Sequence, residues 1–275
     1  MIEVKNLSFS YGTVPVLDRI SLEVKQGNVY GLLGENGVWK TTLLTLLCGL
    51  RKPQKGVIDV DGRAPFDRRP SLLAEQFYLP DEVAPSHARA EEFGRWDGML
   101  WPKYDHAKFL EILRIFEVDP RQRMDSMSTG QLKKTWIAFA LSCNVRYYYM
   151  DEPTNGLDIP SKAQFRKAVT KYTPEDAAII ISTHQVRDLE NIIDPIVILD
   201  KQDVLLNASV QEIGSKLYFD YGTQLQPGAL YVEQTPGGCI QVYPNASGEE
   251  SKVHLEALFN AVHQHKDLIK EMFKC

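Results

Sequence analysis

Cysteine is scarce and unpatterned in this chain. Cys48, Cys143, Cys239 and Cys275 show no C-x-x-C spacing, which excludes a thiolate metal knuckle and leaves reduced cytosolic thiols as the expectation. Long apolar runs are missing too: none reaches the roughly 20 residues of a membrane span, so a membrane role has to come through a partner. The N-terminus opens on a strand pattern and lacks the marks of a signal peptide. Basic charge is in deficit, with 31 Lys and Arg against 36 Asp and Glu, and this gives no electrostatic footprint for nucleic acid, which is not expected as a partner. Repeats and low-complexity tracts are absent. What remains, 44% hydrophobic and 24% charged over 275 residues, suits one large domain with a smaller appendage.

One further absence is a single glycine. Gly34-Glu35-Asn36-Gly37-Val38-Trp39-Lys40-Thr41-Thr42 follows the phosphate-binding pattern G-x-x-x-x-G-K-[ST], except that Trp39 stands at the second glycine. Such a loop needs glycine because its backbone N–H groups converge on phosphate with no Cβ in the way, and some positions take φ > 0. Val29-Tyr30-Gly31-Leu32-Leu33 before it reads as a buried strand; Leu43, Leu44, Leu46 and Leu47 after it read as a buried helix ending near Gly49. The free N–H groups and positive dipole end of that helix favour an anion. A plain glycine turn explains the glycines but not Lys40-Thr41-Thr42.

Around this centre, Ile2 to Phe9 and Ile20 to Val24 alternate as half-buried antiparallel strands, with Tyr11 at a strand end. Gly56 to Asp61 is another strand. From Leu79-Pro80-Asp81-Glu82 the texture turns helical and aromatic, with Phe109, Leu110, Ile112, Leu113, Ile115 and Phe116 at helical spacing. Ser128 is placed to cap a further helix opening at Thr129-Gly130-Gln131. Tyr147-Tyr148-Tyr149-Met150 has strand propensity and delivers Asp151-Glu152, a carboxylate pair suited to metal or acid–base work; three buried tyrosine hydroxyls would each need a partner. Ala178 to Ile181 delivers Ser182-Thr183-His184, and Ile196 to Leu199 is another strand. Helices over 161–172 and 186–193 between these strands predict a parallel sheet. From about Tyr218 the chain reads as an α+β element: a hairpin around Pro236-Gly237-Gly238, then a helix with Leu255, Leu258, Phe259 and Val262 on one face.

In order and spacing these motifs resemble the nucleotide-binding subunit of an ATP-binding-cassette (ABC) transporter, over roughly residues 1 to 215. Gly34 to Thr42 matches Walker A, Ser128-Thr129-Gly130-Gln131 the signature, Met150 to Asp158 Walker B with its D-loop, and His184 the switch. The resemblance implies an α/β P-loop NTPase with an antiparallel β subdomain, a helical subdomain near 84–145 within an ATPase domain of 1–217, and a small C-terminal α+β appendage over 218–275. It implies ATP and Mg²⁺. Gly34, Asn36, Gly37, Lys40, Thr41 and Thr42 would hold the phosphates, Thr41 and Asp151 the Mg²⁺, and Tyr11 would stack on adenine. Glu152 would be the general base and His184 the γ-phosphate sensor. Ser128, Gly130 and Gln131 would bind ATP held by a second subunit, in a head-to-tail homodimer. The implied partner is an integral-membrane transporter subunit, which would place the protein on the cytoplasmic face of the cell membrane.

Three positions depart from the family pattern. Thr129 replaces a signature glycine. Asp81 stands where a glutamine usually touches Mg²⁺, with Gln76 as a rival for that position. Trp39 carries a backbone cost on the order of 1–3 kcal/mol if its position needs φ > 0. The sequence leaves open whether the loop is rearranged, the subunit degenerate or the residue introduced. It also leaves open a soluble ABC ATPase of DNA repair or translation, and a non-hydrolysing subunit. The Leu-Pro-Asp-Glu segment favours export over import, and the appendage is expected to regulate, to stabilise a dimer or simply to pack.

Overall fold

A computed structural model describes residues 1–225 and 227–273; Cys275 lies outside them. In chain order the elements are β1 (Ile2–Tyr11), β2 (Val14–Val24), β3 (Asn28–Leu33), α1 (Lys40–Leu47), β4 (Lys55–Val60), α2 (Pro70–Leu73), β5 (Gln76–Leu79), α3 (Ala90–Asp97), α4 (His106–Ile115), α5 (Thr129–Ser142) and β6 (Tyr147–Asp151). They continue with α6 (Ile159–Tyr172), β7 (Ala178–Thr183), β8 (Ile196–Asp200), β9 (Asp203–Ala208), α7 (Val210–Lys216), β10 (Leu217–Gly222), β11 (Tyr231–Thr235), β12 (Gly238–Pro244), α8 (Leu255–Gln264) and α9 (Lys266–Phe273).

The central sheet runs β5-β6-β7-β3-β8-β9, parallel except for the antiparallel edge pair β8 and β9. Its inner strands are apolar on both faces because α4, α5 and α6 pack on one side and α1 with the β2-β1-β4 sheet on the other; every residue of β7 is buried. Parallel register matters most for function. Leu33 pairs with Thr183 and Asp151 with Ser182, so β3, β6 and β7 end together and deliver Gly34, Glu152 and His184 to one edge. Ligands of open α/β sheets bind at that edge.

Helix α1 is buried almost all round: Leu43, Leu44, Leu46 and Leu47 are at most 1% exposed, each contributing about 1.5–3 kcal/mol of burial. It stops at Gly49 (φ 78°), where a Cβ would lie 2.2 Å from the Pro65 carbonyl oxygen. The three tyrosines of β6 are fully buried. Tyr147 donates to Asp61 (2.7 Å) and accepts from Gln26 (3.0 Å), and Tyr148 accepts from the Val145 N–H (3.2 Å); Tyr149 has no partner among the described residues. Cys48, Cys143 and Cys239 are buried free thiols.

The helix expected over 186–193 does not form; only a 3₁₀ turn at Val186–Asp188 does. Because β3 lies between β7 and β8, this connection must cross it and run back the length of a strand, about 20 Å. Val186, Leu189 and Ile193 are still buried, in turns and not on a helix face.

In the appendage β10-β12-β11 forms an antiparallel sheet, and α8 packs on β11 and β12 and on the turn at Val186–Asp188. Leu255, Leu258 and Val262 are buried within the chain, and Phe259 stacks on His263 at 4.2 Å, so this face offers no free apolar surface for a dimer. Helix α9 covers β9, with Lys266 paired to Asp200 and Lys270 to Asp203. Ending the chain after Leu217 uncovers these surfaces and is expected to lower Tm by roughly 5 °C or more, since each kcal/mol moves Tm by about 2–4 °C at this size. A thermal melt of the truncated chain checks this; an unchanged Tm would mean the appendage contributes no cover.

Candidate functional site

The loop after β3 keeps the geometry its glycines suggest, although one glycine is missing. At Gly34 a Cβ would lie 2.4 Å from a Val38 methyl and 3.1 Å from the Leu199 carbonyl, so the chain can pass only without a side chain. Gly37 has φ 86° and open space around it. Trp39 caps α1 in the left-handed region, φ 64° and ψ 26°, the conformation a glycine would take freely. At this position the backbone therefore takes the conformation that suits glycine, and the strain falls on Trp39. Its half-buried indole packs against Tyr11, ring centroids 5.7 Å apart. Tyr11 does not project freely: its hydroxyl is 3.1 Å from Thr42 Oγ1 and the Arg51 guanidinium lies over its ring at 5.0 Å. Asn36 is exposed at the loop tip.

Lys40 opens α1 and curls back over the loop. Its Nζ donates to the carbonyls of Gly34 (2.7 Å) and Glu35 (3.2 Å) and lies 3.6 Å from Glu152 Oε1. Burial pulls this ammonium below the ordinary lysine range, with Glu152 opposing. Amides of the first helical turn have no carbonyl partner within the helix and so remain available to an anion.

Thr41 donates to Asp151 Oδ2 at 2.6 Å, and Ser182 to Asp151 Oδ1 at 2.5 Å. Tyr78 closes on the same carboxylate; burial first, then the Asp151 charge, raise its phenol. Thr41 and Asp151 are hard oxygen donors side by side, and among the described residues no cage of three His, Cys, Asp or Glu exists. That donor set fits Mg²⁺, which is held by one or two protein oxygens together with substrate phosphates.

Glu152 leaves β6 with φ 44°, an uncommon conformation for a non-glycine residue, held by N–H bonds to the carbonyl (3.2 Å) and hydroxyl (3.0 Å) of Ser182. The kink turns its carboxylate to Lys40 and to His184, whose Nδ1 lies 2.9 Å from Oε1. A carboxylate between a lysine and a histidine at a strand end can accept a proton from water beside a bound phosphate.

The signature residues lie apart from this cluster. Ser128 Oγ accepts from the Gln131 N–H (3.2 Å) and Gln131 Oε1 from the Ser128 N–H (3.0 Å), a reciprocal cap on α5. A Cβ at Gly130 would lie 3.6 Å from the Gly156 carbonyl, and none of the recorded hydrogen bonds of these residues reaches Lys40, Asp151 or Glu152. Asp81 is not at the Thr41–Asp151 pair; it accepts from Asn155 (3.2 and 3.3 Å) and pairs with Lys133 (3.3 Å). Gln76, its rival, is buried in β5 and donates to the Cys48 carbonyl. Sequence reasoning missed Tyr78 and Lys133, and it placed Ser182 at a strand end and Asn155 in the loop after β6 without giving either a contact. The register of β5 on β6 and of β6 on β7 places Tyr78 and Ser182, but register is set by pairing and not by any local pattern.

Glu233, Glu256 and Asn260 of the appendage face Gly34, Thr183 and His184 across a cavity of 330 Å³, and Glu256 pairs with Arg187 at 2.5 Å. A larger cavity of 600 Å³, between 190–194, 210–215 and 248–255, contains none of Gly34, Lys40, Thr41, Asp151, Glu152 and His184, so volume does not mark the chemistry here.

A family model described as "ABC transporter" matches residues 17–155. An uncharacterised ABC transporter ATP-binding protein of Methanocaldococcus jannaschii is 30% identical over 240 residues, covering 86% of this chain and 87% of that protein. Among solved structures, an ATP-binding subunit of an ABC transporter superposes with TM-score 0.70 and 26% identity over 78% of this chain and 91% of that one. A dimeric ATP-binding cassette in a post-hydrolysis state with ADP and Pi shares the fold, with TM-score 0.67 and 20% identity over 76% of this chain and 98% of that one.

Proposed function

The chain belongs to the ATP-binding subunits of ABC transporters, and from that premise we propose that it energises an integral-membrane partner from the cytoplasmic face of the membrane, in the export direction, as a head-to-tail homodimer. ATP and Mg²⁺ are the ligands this family binds; Mg²⁺, when bound, offsets phosphate charge. In this reading Lys40 and the amides of residues 37–42 grip the phosphates. Thr41 and Asp151 hold the metal, Glu152 takes the proton of the attacking water and His184 orients Glu152 against the γ-phosphate. The exposed signature cap at Ser128, remote from the chain's own loop, supports closure by a second copy, as does the dimer of the related cassette. The Leu79-Pro80-Asp81-Glu82 segment supports export.

The observation that carries the membrane partner is an apolar patch on the helical subdomain. Trp96, Met99 and Leu100 are 59%, 77% and 72% exposed, next to one another at the end of α3. Grouped apolar side chains of this size mark an interaction surface. We expect an integral protein to co-purify with this chain from membranes in mild detergent, and Met99→Asp with Leu100→Asp to abolish that while ATP binding persists. If no integral protein accompanies the parent chain, the transporter role falls and the soluble ATPase reading takes its place.

A further inference from the structure

The turn after β7 carries a chain of polar contacts that ends on Glu152. Asp188 Oδ2 holds Lys162, near the start of α6, at 2.6 Å, and the Arg166 guanidinium donates to the Asp188 carbonyl at 2.8 Å. The same Lys162 Nζ donates to Gln185 Oε1 at 3.0 Å. Gln185 Nε2 lies 3.3 Å from His184 Nε2, and His184 Nδ1 lies 2.9 Å from Glu152 Oε1. The Gln185 backbone is fixed as well, its N–H donating to Thr183 Oγ1 at 2.9 Å.

Donor and acceptor roles follow along this chain from one end to the other. An ammonium only donates, so the Gln185 carbonyl is the atom that faces Lys162. The amide NH₂ is then left for His184, and it too only donates. His184 Nε2 therefore offers its lone pair, and the ring proton sits on Nδ1, where Glu152 accepts it. A second proton, on Nε2, would point at the amide hydrogens.

We propose that Gln185 and Lys162 are positioning residues of the hydrolytic site: together they select the form of His184 that carries hydrogen on Nδ1 alone. That form orients Glu152 through a hydrogen bond and brings no cation against it. An imidazolium would be a second cation beside Lys40, and a carboxylate between two cations is a weaker base. The His184 backbone N–H reaches Oε2 at 3.4 Å, so one residue fixes both oxygens of Glu152. Glu233 and Glu256 face His184 across the cavity, but Arg187 holds Glu256, and among the described residues no hydrogen bond joins either carboxylate to the ring. The inference rests on the reading of Glu152 as the base.

Nitrogen NMR spectra of the full chain with isotope-labelled histidine, at about pH 8 and so above the ordinary histidine range, read the ring directly, with the His184 signals assigned by their loss in His184→Asn. The parent should show hydrogen on Nδ1 and none on Nε2. Gln185→Glu puts an acceptor beside Nε2, and both ring nitrogens should then carry hydrogen; Gln185 is exposed, so the fold is expected to survive. Lys162→Met frees the amide to turn its oxygen to the ring and should move the spectrum part of the same way. Lys162→Arg, which again only donates, should restore the parent pattern. Turnover, measured in the parent and in a Trp39→Gly background, should fall about tenfold in Gln185→Glu with KM for ATP within about twofold, a split that general loosening of the turn would not give. Hydrogen on Nε2 in the parent, or a spectrum unmoved by Gln185→Glu or by Lys162→Met, overturns the assignment. So does a moved spectrum with unchanged turnover where Glu152→Gln still abolishes it. If Glu152→Gln turns over ATP like the parent, the base reading falls and the catalytic role of these contacts with it, while the spectra still decide the tautomer.

Discussion

Glu152→Gln is expected to lower ATP turnover by about 10²–10⁴-fold, the contribution of a positioned general base, and to leave ATP-driven dimer closure intact. The amide has the shape of the carboxylate but takes no proton from water. It also stops neutralising Lys40, 3.6 Å away, which then remains fully available to phosphate. ATP binding should be as tight as in the parent or tighter, and the closed dimer should accumulate because the step that reopens it is blocked. Hydrolysis measured beside light scattering decides the matter. Turnover equal to the parent removes Glu152 as the base, and loss of binding together with turnover would make its role structural, through the kink at φ 44°. As a control, Ser128→Arg should leave binding to Lys40 in place and abolish closure.

Trp39→Gly is expected to tighten ATP binding by about tenfold or more, roughly 1.4 kcal/mol. Two effects add. A non-glycine residue in the left-handed region costs on the order of 1–3 kcal/mol, which glycine removes. The indole also packs on Tyr11, the ring on which adenine would stack, so a bound base must compete with a ring already there. Trp39→Ala separates the two, since it clears the indole but keeps the backbone strain, and should recover only part of the gain. Calorimetric titration of the three chains checks this. If the parent binds ATP at micromolar levels and glycine adds nothing, the loop has accommodated the indole and catalysis by the parent is unimpaired.

The local chemistry of the site was legible because each part is a short run with its own signature. Gly34 to Thr42 between a strand and a helix, Ser128 at a helix start and Asp151-Glu152 after an apolar run all sit where the pattern placed them. The contacts among these runs were not legible. Asp81 reads as a metal ligand from its place in the chain, yet Lys133 and Asn155 claim it, and those residues lie 52 and 74 positions away. The Tyr147 hydroxyl likewise finds Asp61, 86 positions away.

By itself the sequence determined the type of the segments that carry the site, the strands before Gly34, Asp151 and Ser182 and the helices that begin at Lys40 and Thr129, because propensity, capping and hydrophobic period act over a few residues. The parallel register that brings Lys40, Asp151, Glu152 and His184 to one edge was decided only by tertiary structure. So were the indole lying on Tyr11 and the face of α8 that is covered. These depend on which strand pairs with which and on what fills the space between them, and that is settled by burial of the whole apolar surface at once.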